Sequence, residues 1–186
     1  MFGLFSGLTN PGRLEELKKE ASAVLSPDIF EGARFEFNKT LTQKFALIHS
    51  VTLGGGAPGS YELGANVAED WLLLASRVDV QGRLNGRVNA QVSDSTLVRL
   101  QAQVGPSGEE ANSFKADLDY KGGSFCVGGY AVGSGLLGAN YMQSVTEGLS
   151  LGAETFYHTG NSRVRGGAVA ARYVWGDKEE NVATAK

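Results

Sequence analysis

Cysteine occurs once, at Cys126, so no internal disulfide is available to staple the chain. Only four prolines interrupt 186 residues, which excludes a Pro-rich disordered linker. Long apolar runs are missing too. The longest candidate, Trp71 to Ala75, falls far short of the about 20 residues that a transmembrane helix needs. A basic excess is also lacking: the formal net charge is −3, which argues against a nucleic-acid surface. The first ten residues have no basic stretch followed by a long apolar one, so a secretory signal is not indicated. Glycine, by contrast, is abundant, at 26 residues against an average usage of roughly 7%.

One helix is predicted, within residues 10–27, after a flexible terminus at residues 1–9. Asn10 suits an N-cap, Pro11 the first helical position, and Glu15 and Glu16 the positive end of the dipole. Leu14, Leu17, Ala21, Val24 and Leu25 fall on one stripe, and Ser26-Pro27 ends the pattern. Mixed charges on the opposite side read as a solvated face, so the stripe is expected to pack against protein.

From Glu31 onward the period changes to two. Leu84, Gly86, Val88, Ala90 and Val92 alternate with Arg83, Asn85, Arg87, Asn89 and Gln91; Phe114, Ala116, Leu118 and Tyr120 alternate with Lys115, Asp117, Asp119 and Lys121. These sets make one face each on a strand and scatter on a helix. The same pattern runs through Thr96–Val104 and through Tyr61, Leu63, Ala65 and Val67. Less regular strands are predicted at 33–39, 43–53, 71–80, 123–131, 136–146, 148–157 and 166–175. That makes about eleven strands in an antiparallel meander joined by short Gly-rich or polar breaks, an all-β chain behind one helix.

Alternation fits a soluble sandwich or lipocalin-like barrel as well as a membrane barrel. Two features favour the membrane. The strands are long for a soluble sheet and suit a tilted bilayer crossing. Their apolar positions mix large residues with Gly and Ala, which suits lipid tails better than an interlocked core. The run Gly133-Ser134-Gly135-Leu136-Leu137-Gly138 has dinucleotide-loop spacing, yet strand-like sequence follows it, and a hairpin is expected there. His49 and His158 have no ligand-spaced partners, and Cys126 reads as a small wall residue.

The wording of the sequence adds a further inference. Asn10-Pro11-Gly12, Glu15-Glu16-Leu17, Phe30-Glu31-Gly32-Ala33, Tyr61-Glu62-Leu63-Gly64, Gly82-Arg83-Leu84-Asn85, Asp119-Tyr120-Lys121-Gly122, Tyr141-Met142-Gln143-Ser144 and Leu151-Gly152-Ala153-Glu154 occur in one order. Together they resemble the pore-forming subunits of the mitochondrial outer-membrane protein translocase, within the eukaryotic porin superfamily. The resemblance implies a barrel of roughly nineteen strands with the N-terminal helix inside the pore. It implies passive conduction of unfolded precursor proteins, with no enzymatic step and no cofactor. The partners implied are precursor polypeptides with targeting sequences, receptor and small single-helix subunits, and the lipid bilayer.

Residues 31–186 are on this reading a partial barrel, stopping as a further strand begins at Asn181, and so expected to be too narrow to conduct alone. A metabolite or anion porin of the same fold and a soluble β-domain binding an apolar ligand are the alternatives. The residues expected to line the pore are Glu36, Glu62, Arg83, Asn85, Arg87, Asn89, Gln91, Arg99, Gln101, Lys115, Asp117, Asp119 and Lys121. A hydrated, mixed-charge wall of this kind would pass charged segments without trapping them.

Overall fold

In the computed structural model, residues 8–17, 22, 25–26, 31–54, 57–106, 112–161, 163–175 and 181–185 are described. They form twelve strands: β1 Ala33–Thr42, β2 Phe45–Gly54, β3 Ala57–Glu69, β4 Leu72–Asp79, β5 Leu84–Ser93, β6 Thr96–Val104, β7 Ser113–Lys121, β8 Phe125–Val132, β9 Leu136–Ser144, β10 Leu149–His158, β11 Arg163–Trp175 and β12 Asn181–Ala185. Strand order follows chain order throughout, the mark of a meander. The eleven strands expected from alternation are all present, and the stretch read as the start of another strand is β12.

Contact density divides the chain into two units, Asp28–Ala116 and Met1–Pro27 with Asp117–Lys186. In the first, β1 to β6 pair antiparallel in long ladders, such as Ala33↔Leu53 through Lys39↔Leu47 for β1 and β2. Tight polar turns join them. Between β4 and β5 the Asp79 carboxylate accepts from the backbone N–H of Gln81 and of Arg83, both at 2.9 Å. In the second unit β8 to β12 pair in the same manner. The glycine run 133–138 is the hairpin joining β8 to β9: Gly135 adopts φ 86°, its N–H bonds the Val132 carbonyl at 2.9 Å, and a strand follows. The phosphate-loop spacing has no helix to open.

The N-terminal segment departs from the expected cap. Residues 10–13 are not helical, Arg13 is extended (φ −91°, ψ 144°), and a single 3-10 turn covers Leu14–Glu16. Asn10 does not cap a helix. Its Oδ1 accepts from the Gly12 N–H at 2.8 Å, while its Nδ2 donates to the carbonyls of Gly122 (2.7 Å) and Phe125 (2.9 Å) at the β7–β8 turn. Tertiary hydrogen bonds here outweigh local capping. Beyond Leu17 the described part of the predicted helix is helical at Ser22 and Leu25, the Ser26 N–H bonding the Ser22 carbonyl at 2.9 Å, but Leu25, expected on the packed stripe, is 80% exposed. The remainder of that helix, and residues 1–7 of the predicted flexible terminus, lie outside the described residues.

Candidate functional site

Register decides which side chains share a face. In the unit Asp28–Ala116, ladder partners connect Glu36, Ser50, Glu62 and Asp79 in one row. Arg77, Asn85 and Gln103 lie in a second row, Ala75, Arg87 and Gln101 in a third, and Leu73, Asn89 and Arg99 in a fourth. All these rows stand on one side of the sheet. Glu36, Glu62, Asn85, Arg87, Asn89, Gln91, Arg99 and Gln101, expected from sequence to share a surface, are therefore brought together. Arg83 joins the first row from the β4–β5 turn, its Nε 2.6 Å from Asp79 Oδ2. Arg77 also approaches Glu62, at 3.7 Å, so the wall offers both signs of charge close together. The opposite side carries Phe35, Phe37, Tyr61, Leu63, Val78, Leu84 and Val104, all exposed.

The other unit shows the same inversion more sharply. Cys126, Met142, Gly152 and Ala170 form one row of partners; Gly128, Asn140, Glu154 and Ala168 form the next; Ser144, Ser150 and Arg172 form a third. Asp117, at 3% exposure, and Asp119, at 4%, are buried, as are Asn140, Ser144 and Ser150. On the reverse face Val127, Tyr141, Leu151, Val169 and Tyr173 are exposed, Val169 at 79%. Soluble folds bury apolar side chains and solvate charge; here the polar face is enclosed and the apolar face is bare. An apolar surface of that extent marks contact with lipid or protein.

The polar face is covered by the chain's own N-terminal segment. Arg13 Nε lies 3.1 Å from Asp119 Oδ2, with both side chains nearly buried. The Ser144 hydroxyl donates to the Thr9 carbonyl at 2.7 Å. Leu14 and Leu17 pack with Met142 and Ala170 in the one buried apolar cluster among the described residues. Two glycines make room. A Cβ on Gly152 would stand 2.6 Å from Leu14 Cδ1, and one on Gly128 would stand 2.6 Å from Asn140 Oδ1 and 2.9 Å from Asp119 Oδ1. Beside this covered surface, the Tyr130 hydroxyl donates to Glu154 Oε1 at 3.2 Å. Lys115, Asp117, Asp119 and Lys121 alternate along one side of β7, yet Asp119 takes part in holding the segment.

Sequence reasoning missed Arg13, Asn140, Ser144, Ser150, Glu154 and Arg172 as members of this surface. A weak signal existed in the alternation Asn140, Met142, Ser144 against Ala139, Tyr141, Gln143. Small residues and a methionine on the polar side blurred it.

Comparison with known proteins separates a membrane sheet from a soluble one. The eukaryotic porin family matches residues 10–185. This chain belongs to that family. The inverted sheet is thus barrel wall, an antiparallel membrane β-structure whose bare apolar face meets lipid. A probable mitochondrial import receptor subunit TOM40-2 of Arabidopsis thaliana is 34% identical over 183 residues, covering 91% of this chain and 58% of that protein. The Drosophila melanogaster mitochondrial import receptor subunit TOM40 homolog 2 is 31% identical over 191 residues, with 91% and 54% covered. The Saccharomyces cerevisiae mitochondrial import receptor subunit TOM40 is 33% identical over 168 residues, with 81% and 42% covered. The chain spans about half the length of the curated relatives it matches.

Proposed function

We propose that this chain is wall of a channel in the mitochondrial outer membrane that conducts unfolded precursor proteins. The reading rests on one observation above all, the mixed-charge polar face opposite a bare apolar one. Such a wall holds water and offers many weak contacts to a passing polypeptide, with no single deep well. On this reading passage is passive, with no enzymatic step. The relatives' description as import receptor subunits supports a translocase setting, with receptor subunits and small single-helix subunits as its partners. A metabolite or anion channel would favour a predominantly basic wall, whereas here Glu36, Glu62 and Asp79 stand among Arg77, Arg87 and Arg99. The pore-lining role extends to Lys115, Asp117, Asp119 and Lys121 on β7.

Single cysteines test this in a Cys126→Ser background. A thiol replacing Asn89, on the polar face, should cross-link to a precursor arrested in transit and react with a membrane-impermeant maleimide. One replacing its neighbour Val88 should do neither. Equal labelling at both positions, or a cross-link at Val88 alone, would sink the proposal.

A further inference from the structure

Charge on the wall of β1 to β6 is layered rather than evenly mixed. Its carboxylates lie in one row, and each has an arginine at hand: Glu36 has Arg34 at 3.5 Å, Glu62 has Arg77 at 3.7 Å and Asp79 has Arg83 at 2.6 Å. Among the described residues of these strands, the next three rows hold no carboxylate. They hold Arg77, Arg87 and Arg99, one to a row and each one strand further on. Register fixes this, since Arg77 stands opposite Asn85, Arg87 opposite Gln101 and Arg99 opposite Asn89. The arginines therefore cross the wall as a diagonal stair with steps of roughly 7–8 Å. Side chains on one face of an extended polypeptide repeat at about 7 Å, close to the same step.

Arg87 is the middle step and the open one. It is exposed, its Nε donates to Asn89 Oδ1 at 3.3 Å, and it has no carboxylate partner among the described residues. Ala75 stands beside it on β4 and Gln101 on β6, and the short alanine side chain leaves the guanidinium accessible. The amides of Asn85, Asn89 and Gln101 offer donors without adding a charge that would neutralise the arginine. A guanidinium in such surroundings takes a carboxylate through charge-assisted hydrogen bonds. We propose that the stair binds acidic stretches of a polypeptide passing in extended form, with Arg87 as the principal contact. The inference deepens the channel reading, on which it rests, by giving the wall a preferred substrate class. Glu62 tunes the first step. Its carboxylate competes for Arg77 across 3.7 Å, with the two side chains 39% and 41% exposed. Arg99 is buried and adds field at the far step. Contacts to exposed guanidinium groups are individually weak, which lets a bound segment move on.

The test uses the full 186-residue chain refolded in detergent micelles. The probe is a fluorescent peptide of Glu-Ser repeats, with a Gln-Ser repeat as control, read by anisotropy. Arg87→Gln should weaken binding of the Glu peptide about threefold, the scale of an exposed ion pair, and Arg87→Lys should restore part of the loss. Glu62→Gln should tighten binding by about the same factor. Glu36→Gln, in the same row but two strands away, should change it far less. Unchanged binding in Arg87→Gln overturns the proposal. So does equal tightening by Glu62→Gln and Glu36→Gln, which would mark a general field in place of a site. Free succinate separates the two sources of a carboxylate. At equal carboxylate concentration it should compete poorly, and competition as strong as the peptide's own would make this a small-anion site and overturn the polypeptide assignment. If the Glu peptide binds neither the parent chain nor any variant while the Asn89 cross-link forms, the stair fails and the channel stands. If the cross-link fails as well, the channel reading fails with it.

Discussion

Gly152 and Asn10 show how single residues fasten the N-terminal segment to the wall. Gly152 leaves the space that the Leu14 methyl fills, and a branched side chain there would force one of the two to move. Gly152→Val is expected to destabilise the docked state by about 1–3 kcal/mol, the usual range for overpacking. Amide exchange should quicken at residues 12–17 while β9 and β10 keep their protection. Loss of protection in both strands would show instead that Gly152 serves the ladder. Asn10→Ala removes donors to two carbonyls at the β7–β8 turn. Its cost should also be about 1–3 kcal/mol, but exchange should rise at the turn as well as in the segment. The two variants thus separate a packing contact from a clamp by where the protection is lost.

Individual strands carry the clearest link from sequence to structure. β5 and β7 were legible because their large apolar residues alternate strictly with charged or amide ones. β8 and β11 were less so, since Gly128, Gly129, Gly166, Gly167, Ala168 and Ala170 supply little contrast between faces. The segment before Leu17 was misread for a different reason. Asn10-Pro11 carries every local mark of a helix start, but β7 and β8 offer carbonyls that a helix cap would forgo, and no local rule sees residues so distant. Much of the polar wall of β1 to β6 could therefore be listed from the sequence, though Ser50, Arg77, Asp79 and Gln103 were missed, whereas the covered wall of β8 to β11 needed the register. Neighbouring positions on β5 test the assignment of faces. Val88→Arg should lower the fraction folded into lipid vesicles by an amount equivalent to about 2–4 kcal/mol, the cost of a cation near the bilayer midplane. Asn89→Arg should leave it nearly unchanged. Equal losses, measured as urea-resistant folded protein, would mean that both faces of β5 meet lipid.

At the scale of the whole chain, the inverted distribution of polarity predicts behaviour in membranes. Alkaline carbonate extraction should leave the protein in the pellet, and recovery in the supernatant would count against every membrane reading. The segment-to-wall contacts have a separate consequence, for the order of assembly. Each strand pairs with the next in sequence, so hairpins close short loops and can zip progressively. The Ser144–Thr9 bond instead joins positions 135 apart, and the wall beneath the segment is complete only when β7 to β11 stand side by side. Loop-closure entropy and the missing partner surface both postpone that contact. Docking of the N-terminal segment is thus the last event in building the unit that holds it, and the natural checkpoint for whether that wall has been built correctly.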